Sequence, residues 1–395
     1  MSLVLLVGVL ASVAQMVSHH TEASVLTCSP GDEVYSLYGH TALRIKDDSL
    51  GVDYVFNFGV FDFNTDYFIW KFTLGQTDYI LMPVSYKDFM YEYETRGSEV
   101  KAQVLNLSQQ EADDLFQYLI RTSRPENRTY RYNYLTNNCT TRVMDCVEGC
   151  INGSVSYSWD TDPETYRQIM HQYTVDSPWA QDGNDILLGA DVDTTLSLRA
   201  KCFVPENYSR ALDGAIIRDL TADSRPMVRR TEILLAAKPH VVVKDFPLSP
   251  MTVGWMAFVL MLLVAVIEYR CRRMIWLLDA LILPIHGLAG ALLLFVFLFS
   301  EHPTLGSNWQ IWVLNPLPLV AMPYIIKAAW RKHRTLWHYI LGAMLISFLL
   351  FIPWIPQHLC SMMIPLTLTL ATRPVSWMIN YGRAVEPSLV KSEKQ

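Results

Sequence analysis

The chain has 395 residues, of which 51% are hydrophobic, and a formal net charge of −6. The charge is uneven: residues 1–250 hold 21 Lys and Arg against 33 Asp and Glu, whereas residues 251–395 hold 11 against 5. The acidic part has no basic patch interleaved with aromatic residues, which argues against nucleic acid as a partner. The two parts are predicted to lie in different surroundings.

The N-terminal run MSLVLLVGVLASVA is apolar, and its small residues Ser12 and Ala14 suit a signal-peptide cleavage site. No basic residue precedes this run, so retention as an anchor is the alternative. We predict that residues 1–17 are a signal peptide or N-terminal anchor. Residues 18–250 are then an exported domain in an oxidising compartment.

The run SLYGHTALRI, residues 36–45, alternates as a strand does and carries Tyr38 and His40 before its apolar residues. A histidine in a strand is either a hydrogen-bonded core residue or a catalytic group. The choice between these depends on whether a nucleophile is brought to it.

The next predicted strand, DYVFNFGVFDF at residues 53–63, holds one amide side chain, Asn57, among apolar and aromatic residues. Asn57 could accept a hydrogen bond from the ring of His40 and fix its orientation. The alternative is a turn residue at a strand end beside Gly59.

The run YRYNYLTNNCTTRVMDCVEGCI, residues 130–151, predicts an extended aromatic segment followed by a helix. Asn137 or Asn138 would be the N-cap, which places Cys139 in the first helical turn. Free backbone N–H groups and the helix dipole favour a thiolate there, so Cys139 is the candidate nucleophile. A buried structural cysteine is the alternative.

The exported domain holds five cysteines, an odd number, so one thiol stays free if two disulfides form. Cys146 and Cys150 are spaced i,i+4, which makes a bond between them awkward, so bridges from them to Cys28 or Cys202 are expected. Cys139 is the predicted free thiol.

The exported domain gives little support for metal binding. No His or second Cys-x-x-Cys motif lies at zinc spacing. Asp185, Asp191 and Asp193 could line a cleft, bind a cation or cap turns, and the sequence leaves these roles open. No metal site is predicted.

The basic part contains about five apolar runs of membrane-spanning length. They lie at 251–268, 274–299, 311–326, 335–353 and 357–372. Lys and Arg occur at 270–273, at 327–334 and after the fifth run, which places those segments in the cytoplasm. We predict a transmembrane domain at 251–373 and a cytoplasmic tail at 374–395.

Asp279 and His286 are seven residues apart in the second run, hence on one helix face. Ionisable groups in a membrane are costly unless they are paired or hydrated. The two residues either face a path for a lipid or its headgroup, or make interhelical hydrogen bonds.

The order His, Asn, then Cys resembles permuted papain-like folds, in which His-bearing strands precede the Cys-bearing helix. The lecithin:retinol acyltransferase group shows this order and an Asn-Cys pair like Asn138 and Cys139, whereas ordinary NlpC-type peptidases run Cys before His. The chain is more closely similar to the Lnb-type bacterial lipoprotein N-acyltransferases. This similarity is carried by YGHTALRI, VFNFGVFDF, YRYNYLTNNCTTR and LLGADVDTTLS, and by the order of signal, exported domain and membrane spans.

The resemblance covers most of the chain and implies its fold and location. The fold would be α+β, a permuted papain-like (NlpC-type, lecithin:retinol acyltransferase-like) domain, followed by an all-α transmembrane bundle. The catalytic domain would lie on the periplasmic side of the bacterial inner membrane.

The resemblance also implies the reaction. Cys139 would take an acyl chain from a phospholipid as a thioester and pass it to the N-terminal amine of a diacylated lipoprotein, without a cofactor. His40 would move the protons, Asn57 would orient His40, and Tyr38 would donate to the oxyanion. Substrate contacts are predicted for Asn138, Asp279 and His286.

Two other functions stay open. One is a membrane-tethered cell-wall amidase or peptidase with the same Cys-His dyad. The other is a non-catalytic sensor or scaffold, for which the membrane part matters most.

Overall fold

The computed structural model describes residues 20–31, 36–61, 66–159, 162–219, 223–238 and 246–382. The predicted signal peptide or anchor lies outside these residues, as do residues 383–395 of the predicted tail. The chain forms two compact units, one of Met1–Tyr173 with Thr194–Val243 and one of Thr174–Asp193 with Lys244–Gln395. The predicted exported domain of residues 18–250 is therefore interrupted by a segment that belongs to the second unit.

The first unit is built on an antiparallel seven-stranded sheet with the strand order β10-β5-β1-β2-β3-β4-β6, beside a smaller sheet of β7, β8 and β9. The strands are β1 (Glu22–Cys28), β2 (His40–Asp47), β3 (Val52–Val60), β4 (Asp78–Ser85), β5 (Val100–Leu105), β6 (Thr129–Arg131), β7 (Gly153–Ser156), β8 (Ile216–Asp219), β9 (Ser224–Pro226) and β10 (Val228–Leu235).

Eight helices are interspersed with these strands along the described part of the chain. They are α1 (Phe68–Thr73), α2 (Tyr86–Arg96), α3 (Gln109–Thr122), α4 (Cys139–Cys150), α5 (Tyr166–Thr174), α6 (Pro178–Leu187, in the second unit), α7 (Leu198–Lys201) and α8 (Pro205–Asp213).

The large sheet is covered on both faces, which explains why its central strands are apolar at successive positions. One face carries Val25, Leu43 and Phe56 and packs against α3, α4 and α8. The other face carries Leu26 and Val55 and packs against α2. The helix α4 is thereby held against β2 and β3, the strands that bear His40 and Asn57.

The predicted elements around the dyad are present, with one shift. The N-cap of α4 is Asn138 and its first residue is Cys139, as predicted. The strand β2 begins only at His40, so Tyr38 lies in the turn before it. Gly39 has φ 78°, and a Cβ on it would lie 2.5 Å from the carbonyl oxygen of Cys28. This close approach requires glycine at position 39, and β2 begins directly after it.

The prediction of disulfides is wrong, because all seven cysteines are free thiols in this structure. Cys28 packs with the cluster on the α2 face of the sheet. Cys146, Cys150 and Cys202 pack with the cluster on the opposite face. The sheet therefore separates Cys28 from its predicted partners, and Cys146 and Cys150 keep their helical i,i+4 separation.

We expect thiol counting on the unfolded protein, without a reductant, to find every cysteine available for alkylation. The same count after reduction is the control. A rise of two or four thiols on reduction would show that bridges form after all.

The second unit is a helical bundle, so the predicted fold class of an α+β domain followed by all-α membrane helices is confirmed. Its helices after α6 are α9 (Pro250–Cys271), α10 (Trp276–Phe299), α11 (Leu317–Trp330), α12 (Leu336–Phe351) and α13 (Met363–Gly382). In the described residues, four segments are long and apolar enough to cross a membrane: Pro250–Cys271, Trp276–Phe299, Trp309–Trp330 and Leu336–Trp354.

The fifth predicted span corresponds to α13, which carries the buried Arg373 and is not among those four. The count of five crossing helices stays a prediction. The helix also continues beyond residue 373, where we predicted that the transmembrane domain ends, as far as Gly382.

The segment Thr174–Asp193 is fixed within the second unit by buried polar contacts. The Asp182 carboxylate accepts hydrogen bonds from the backbone N–H groups of Ser361 and Met362, the two residues directly before α13, each at 3.0 Å. The Gln310 side chain donates to the carbonyl of Asp185 at 2.6 Å. The Asp193 carboxylate accepts a hydrogen bond from the His358 N–H at 3.0 Å, and the predicted alternatives for its role stay open.

Candidate active site

Cys139 is positioned by the cap of α4. The Asn138 side-chain oxygen accepts hydrogen bonds from the N–H groups of Thr140 at 2.9 Å and Thr141 at 3.0 Å. Its side-chain nitrogen donates to the carbonyl oxygens of Tyr134 at 2.8 Å and Phe203 at 2.9 Å. These four bonds use the full capacity of the amide. These bonds position Cys139, and the substrate contact predicted for Asn138 stays a prediction.

His40 and Asn57 meet across β2 and β3. The distance between His40 Nε2 and Asn57 Oδ1 is 3.2 Å, as predicted for an amide that orients the ring. Asn57 lies where the pairing of β3 with β4 shifts register, before Gly59 at φ 93°. A Cβ on Gly59 would lie 3.7 Å from the Cβ of Cys139, so a bulge brings β3 close to the thiol.

His40 and Cys139 interact electrostatically, and each shifts the pKa of the other. Because Nε2 faces Asn57, the remaining ring nitrogen, Nδ1, is the one available to the sulfur. Both residues are half-buried, so the thiol is shielded yet open to a substrate. The structure thus brings together the predicted nucleophile, base and orienting amide.

The pKa values of the dyad shift in opposite directions. Burial alone would raise the pKa of the Cys139 thiol, but the charge and hydrogen bond of His40, helped by Thr41 and Thr140, lower it below its ordinary value. Burial alone would lower the pKa of His40, but the charge and hydrogen bond of Cys139, with the bond to Asn57, raise it. Both shifts favour a thiolate–imidazolium pair.

Two threonines that the sequence analysis missed join the strand to the helix. The hydroxyls of Thr41 and Thr140 are 3.0 Å apart, and both residues are fully buried. The Thr140 hydroxyl lies 3.9 Å from the Cys139 sulfur, and both threonines help to lower the pKa of that thiol. Each threonine directly follows a dyad residue in the sequence. This repeated position is the signal from which the pair could have been predicted.

Tyr38 lies two residues before His40, and its ring contacts Tyr173 with centroids 5.4 Å apart. This contact fixes the turn that leads into β2. The oxyanion role of Tyr38 remains a prediction.

Asp279 and His286 have protein partners within the second unit. Arg373 donates to the two carboxylate oxygens of Asp279 at 2.8 Å and 2.7 Å, and Trp377 donates to the same group at 2.9 Å. His286 Nε2 lies 2.8 Å from the carbonyl oxygen of Val313. These contacts are the interhelical hydrogen bonds that were one of the two alternatives, and the substrate contacts stay a prediction.

Replacing His40 by alanine should slow alkylation of Cys139 at neutral pH by about tenfold or more. The change removes the charge and hydrogen bond that lower the pKa of this thiol, while the burial that raises the pKa remains. The acid limb of the alkylation profile should therefore move to higher pH. Iodoacetamide labelling followed by peptide mass spectrometry measures this, with the exposed Cys271 as internal reference. An unchanged profile would show that His40 does not activate the thiol.

Family models match the two parts of the chain separately. Residues 12–172 match the Lnb N-terminal periplasmic domain, and residues 242–384 match the Lnb transmembrane domain. No curated protein and no solved structure gives a significant match. The two matches together cover well over half of the chain and agree with the site and the apolar helices. The chain therefore belongs to the Lnb family, as a membrane-anchored, lipoprotein-processing protein with a periplasmic domain.

Proposed function

We propose that the protein is a lipoprotein N-acyltransferase of the bacterial inner membrane. It would move an acyl chain from a phospholipid through a thioester on Cys139 to the N-terminal amine of a diacylated lipoprotein. The observation that carries the proposal is the pairing of Cys139, at the start of α4, with His40, whose ring is hydrogen-bonded to Asn57 and which lowers the pKa of the thiol. A membrane-anchored chain holds this set where both lipid substrates reside.

In the first half-reaction the Cys139 thiolate attacks the ester carbonyl carbon of the phospholipid. As the tetrahedral intermediate collapses, the carbon–oxygen bond breaks, and the His40 imidazolium gives its proton to the departing lysophospholipid oxygen. The acyl group remains on sulfur as a thioester, and His40 is left neutral.

In the second half-reaction the amine of the lipoprotein attacks the thioester carbonyl. Neutral His40 takes the proton that the nitrogen loses, a carbon–nitrogen bond forms, and the carbon–sulfur bond breaks. The products are an amide and the original thiolate–imidazolium pair. Acyl groups, protons and electrons balance over the cycle without a cofactor.

The oxyanion formed in each step needs donors near the carbonyl. The start of α4 supplies the backbone N–H of Cys139, since the N–H groups of Thr140 and Thr141 already bond to Asn138. We assign the second donation to the Tyr38 hydroxyl, as the sequence predicts.

Mass spectrometry of lipoprotein N-termini tests the proposal in cells that lack any other N-acyltransferase. Expression of the chain should convert diacylated N-termini to triacylated ones, and expression of Cys139→Ser should not. Cys150→Ser, on the same helix but outside the dyad, is the matched control and should behave as wild type. Cleavage of cell-wall peptide with no change in lipoproteins would favour the amidase instead.

A further inference from the structure

Exposed apolar side chains are concentrated at the short helix α1 of the first unit. Tyr67, directly before α1, and Ile69 within it are 79% and 80% exposed, and Trp70 and Phe72 are also exposed. Among the other described residues of this unit, large exposed apolar side chains occur singly, as Tyr91 does on α2. Single ones are ordinary, but a contiguous aromatic group marks an interaction surface.

The backbone at the start of α1, next to these exposed side chains, has an unfavourable conformation. Tyr67 has φ 59°, in the left-handed region that disfavours residues with a side chain. Its carbonyl still accepts the Lys71 N–H at 2.9 Å, so the residue is held as the N-cap of the helix. Strain of this kind persists where a protein uses the resulting geometry.

The inner side of α1 leads towards Cys139 through a row of aromatic rings. The ring of Phe68 is 5.4 Å from that of Phe61, Phe61 is 4.9 Å from Tyr79, and Tyr79 stacks on Tyr132 at 4.0 Å. Phe61 follows β3, the strand whose Gly59 lies against Cys139. A row of aromatic rings thus leads from the exposed helix to the end of the strand that lies against Cys139.

We propose that α1 and Tyr67 form a membrane-contact element that inserts into the phospholipid surface and feeds an acyl chain along these rings to Cys139. The acyl-delivery part rests on the proposed function. The occupant is a bilayer because the chain is membrane-anchored, which keeps this unit beside one. Trp and Tyr rings are also the side chains enriched at headgroup depth. Lys71, the one charged residue of α1, complements the phosphate groups there.

Photocrosslinking in native membranes tests the lipid contact without reference to catalysis. Benzoylphenylalanine replaces Ile69 in the full chain or, as the matched control, the equally exposed Tyr91. Irradiation should give adducts of phospholipid mass at position 69 and not at position 91. Adducts at position 69 with protein, including a second copy of the chain, or lipid adducts no more frequent than at position 91, would overturn the proposal.

A second experiment tests acyl delivery. The full chain is reconstituted in vesicles of phosphatidylethanolamine and phosphatidylglycerol, and the thioester on Cys139 is followed by mass spectrometry. The double variant Ile69→Ser, Trp70→Ser should form thioester from bilayer lipid about tenfold more slowly. With a short-chain phospholipid dissolved as monomers, the double variant should form thioester at the wild-type rate. The control Tyr91→Ser should form thioester at the wild-type rate with either donor.

The outcomes separate this inference from the proposed function. Equal rates for the double variant and wild type with bilayer lipid would overturn acyl delivery through α1 and leave the proposed function intact. A wild-type protein that forms no thioester from either donor would refute the proposed function and acyl delivery with it. The membrane contact would then still be judged by the crosslinks at position 69.

Discussion

Replacing Cys139 by serine should reduce lipoprotein N-acylation by about a thousandfold or more while the protein remains folded and membrane-inserted. A serine hydroxyl is far less acidic than the thiol, so the pairing with His40 does not yield a nucleophile at neutral pH. The cap of α4 rests on Asn138 and is unaffected by this change. Conversion of a diacylated lipopeptide by purified protein in phospholipid measures the loss.

His40→Ala should cause a comparable loss, and the double variant should be hardly worse than either single one, because the two residues act as a unit. Asn57→Ala should be milder, since Asn57 orients the ring through one hydrogen bond. The control Cys150→Ser should retain activity. Full activity of Cys139→Ser would mean that the dyad is structural.

Replacing Arg373 by leucine should destabilise the helical unit by about 3–5 kcal/mol. The guanidinium lies between Glu268, with two contacts at 2.9 Å, and Asp279, and all three residues are buried. Its removal would leave two carboxylates without a counter-charge in an apolar bundle. The midpoint of thermal unfolding in nanodiscs and the yield of inserted protein are the measurements.

The exposed Arg331 supplies the matched control, and Arg331→Leu should leave stability unchanged. Adding Glu268→Gln and Asp279→Asn to Arg373→Leu should recover most of the loss, because the unpaired charges are then gone. If Arg373→Leu is as stable as wild type, the ion pairs contribute nothing to the bundle. Asp279 would then be open to the substrate role that the sequence suggested.

The candidate site was predictable from sequence because its signals are local. The pair Asn138 and Cys139 before an amphipathic run specifies a capped helix with the thiol in its first turn. Asn57 is the one amide side chain in an otherwise apolar and aromatic strand, so it was the candidate to bond to the His40 ring. The structure has these elements where the sequence predicts them, because helix caps and strand patterns depend on residues that are close in the sequence.

Features that depend on tertiary placement could not be predicted in this way. No disulfide joins Cys28 to Cys146 or Cys150 because Cys28 lies on the opposite face of the sheet, which spacing along the chain does not reveal. The bond between Thr41 and Thr140 joins residues from distant parts of the chain. The segment around Asp182 packs with the helical unit because its carboxylate bonds to the turn before α13, a partner that lies about 180 residues further on.

Trapping the acyl-enzyme tests the central claim most directly. Purified protein incubated with phospholipid and no acceptor should gain the mass of one acyl chain, mapped to Cys139 and released by neutral hydroxylamine. Addition of a diacylated lipopeptide should then discharge that mass and yield the N-acylated product. Absence of any acyl group on Cys139, with lipopeptide N-acylated all the same, would contradict a thioester mechanism.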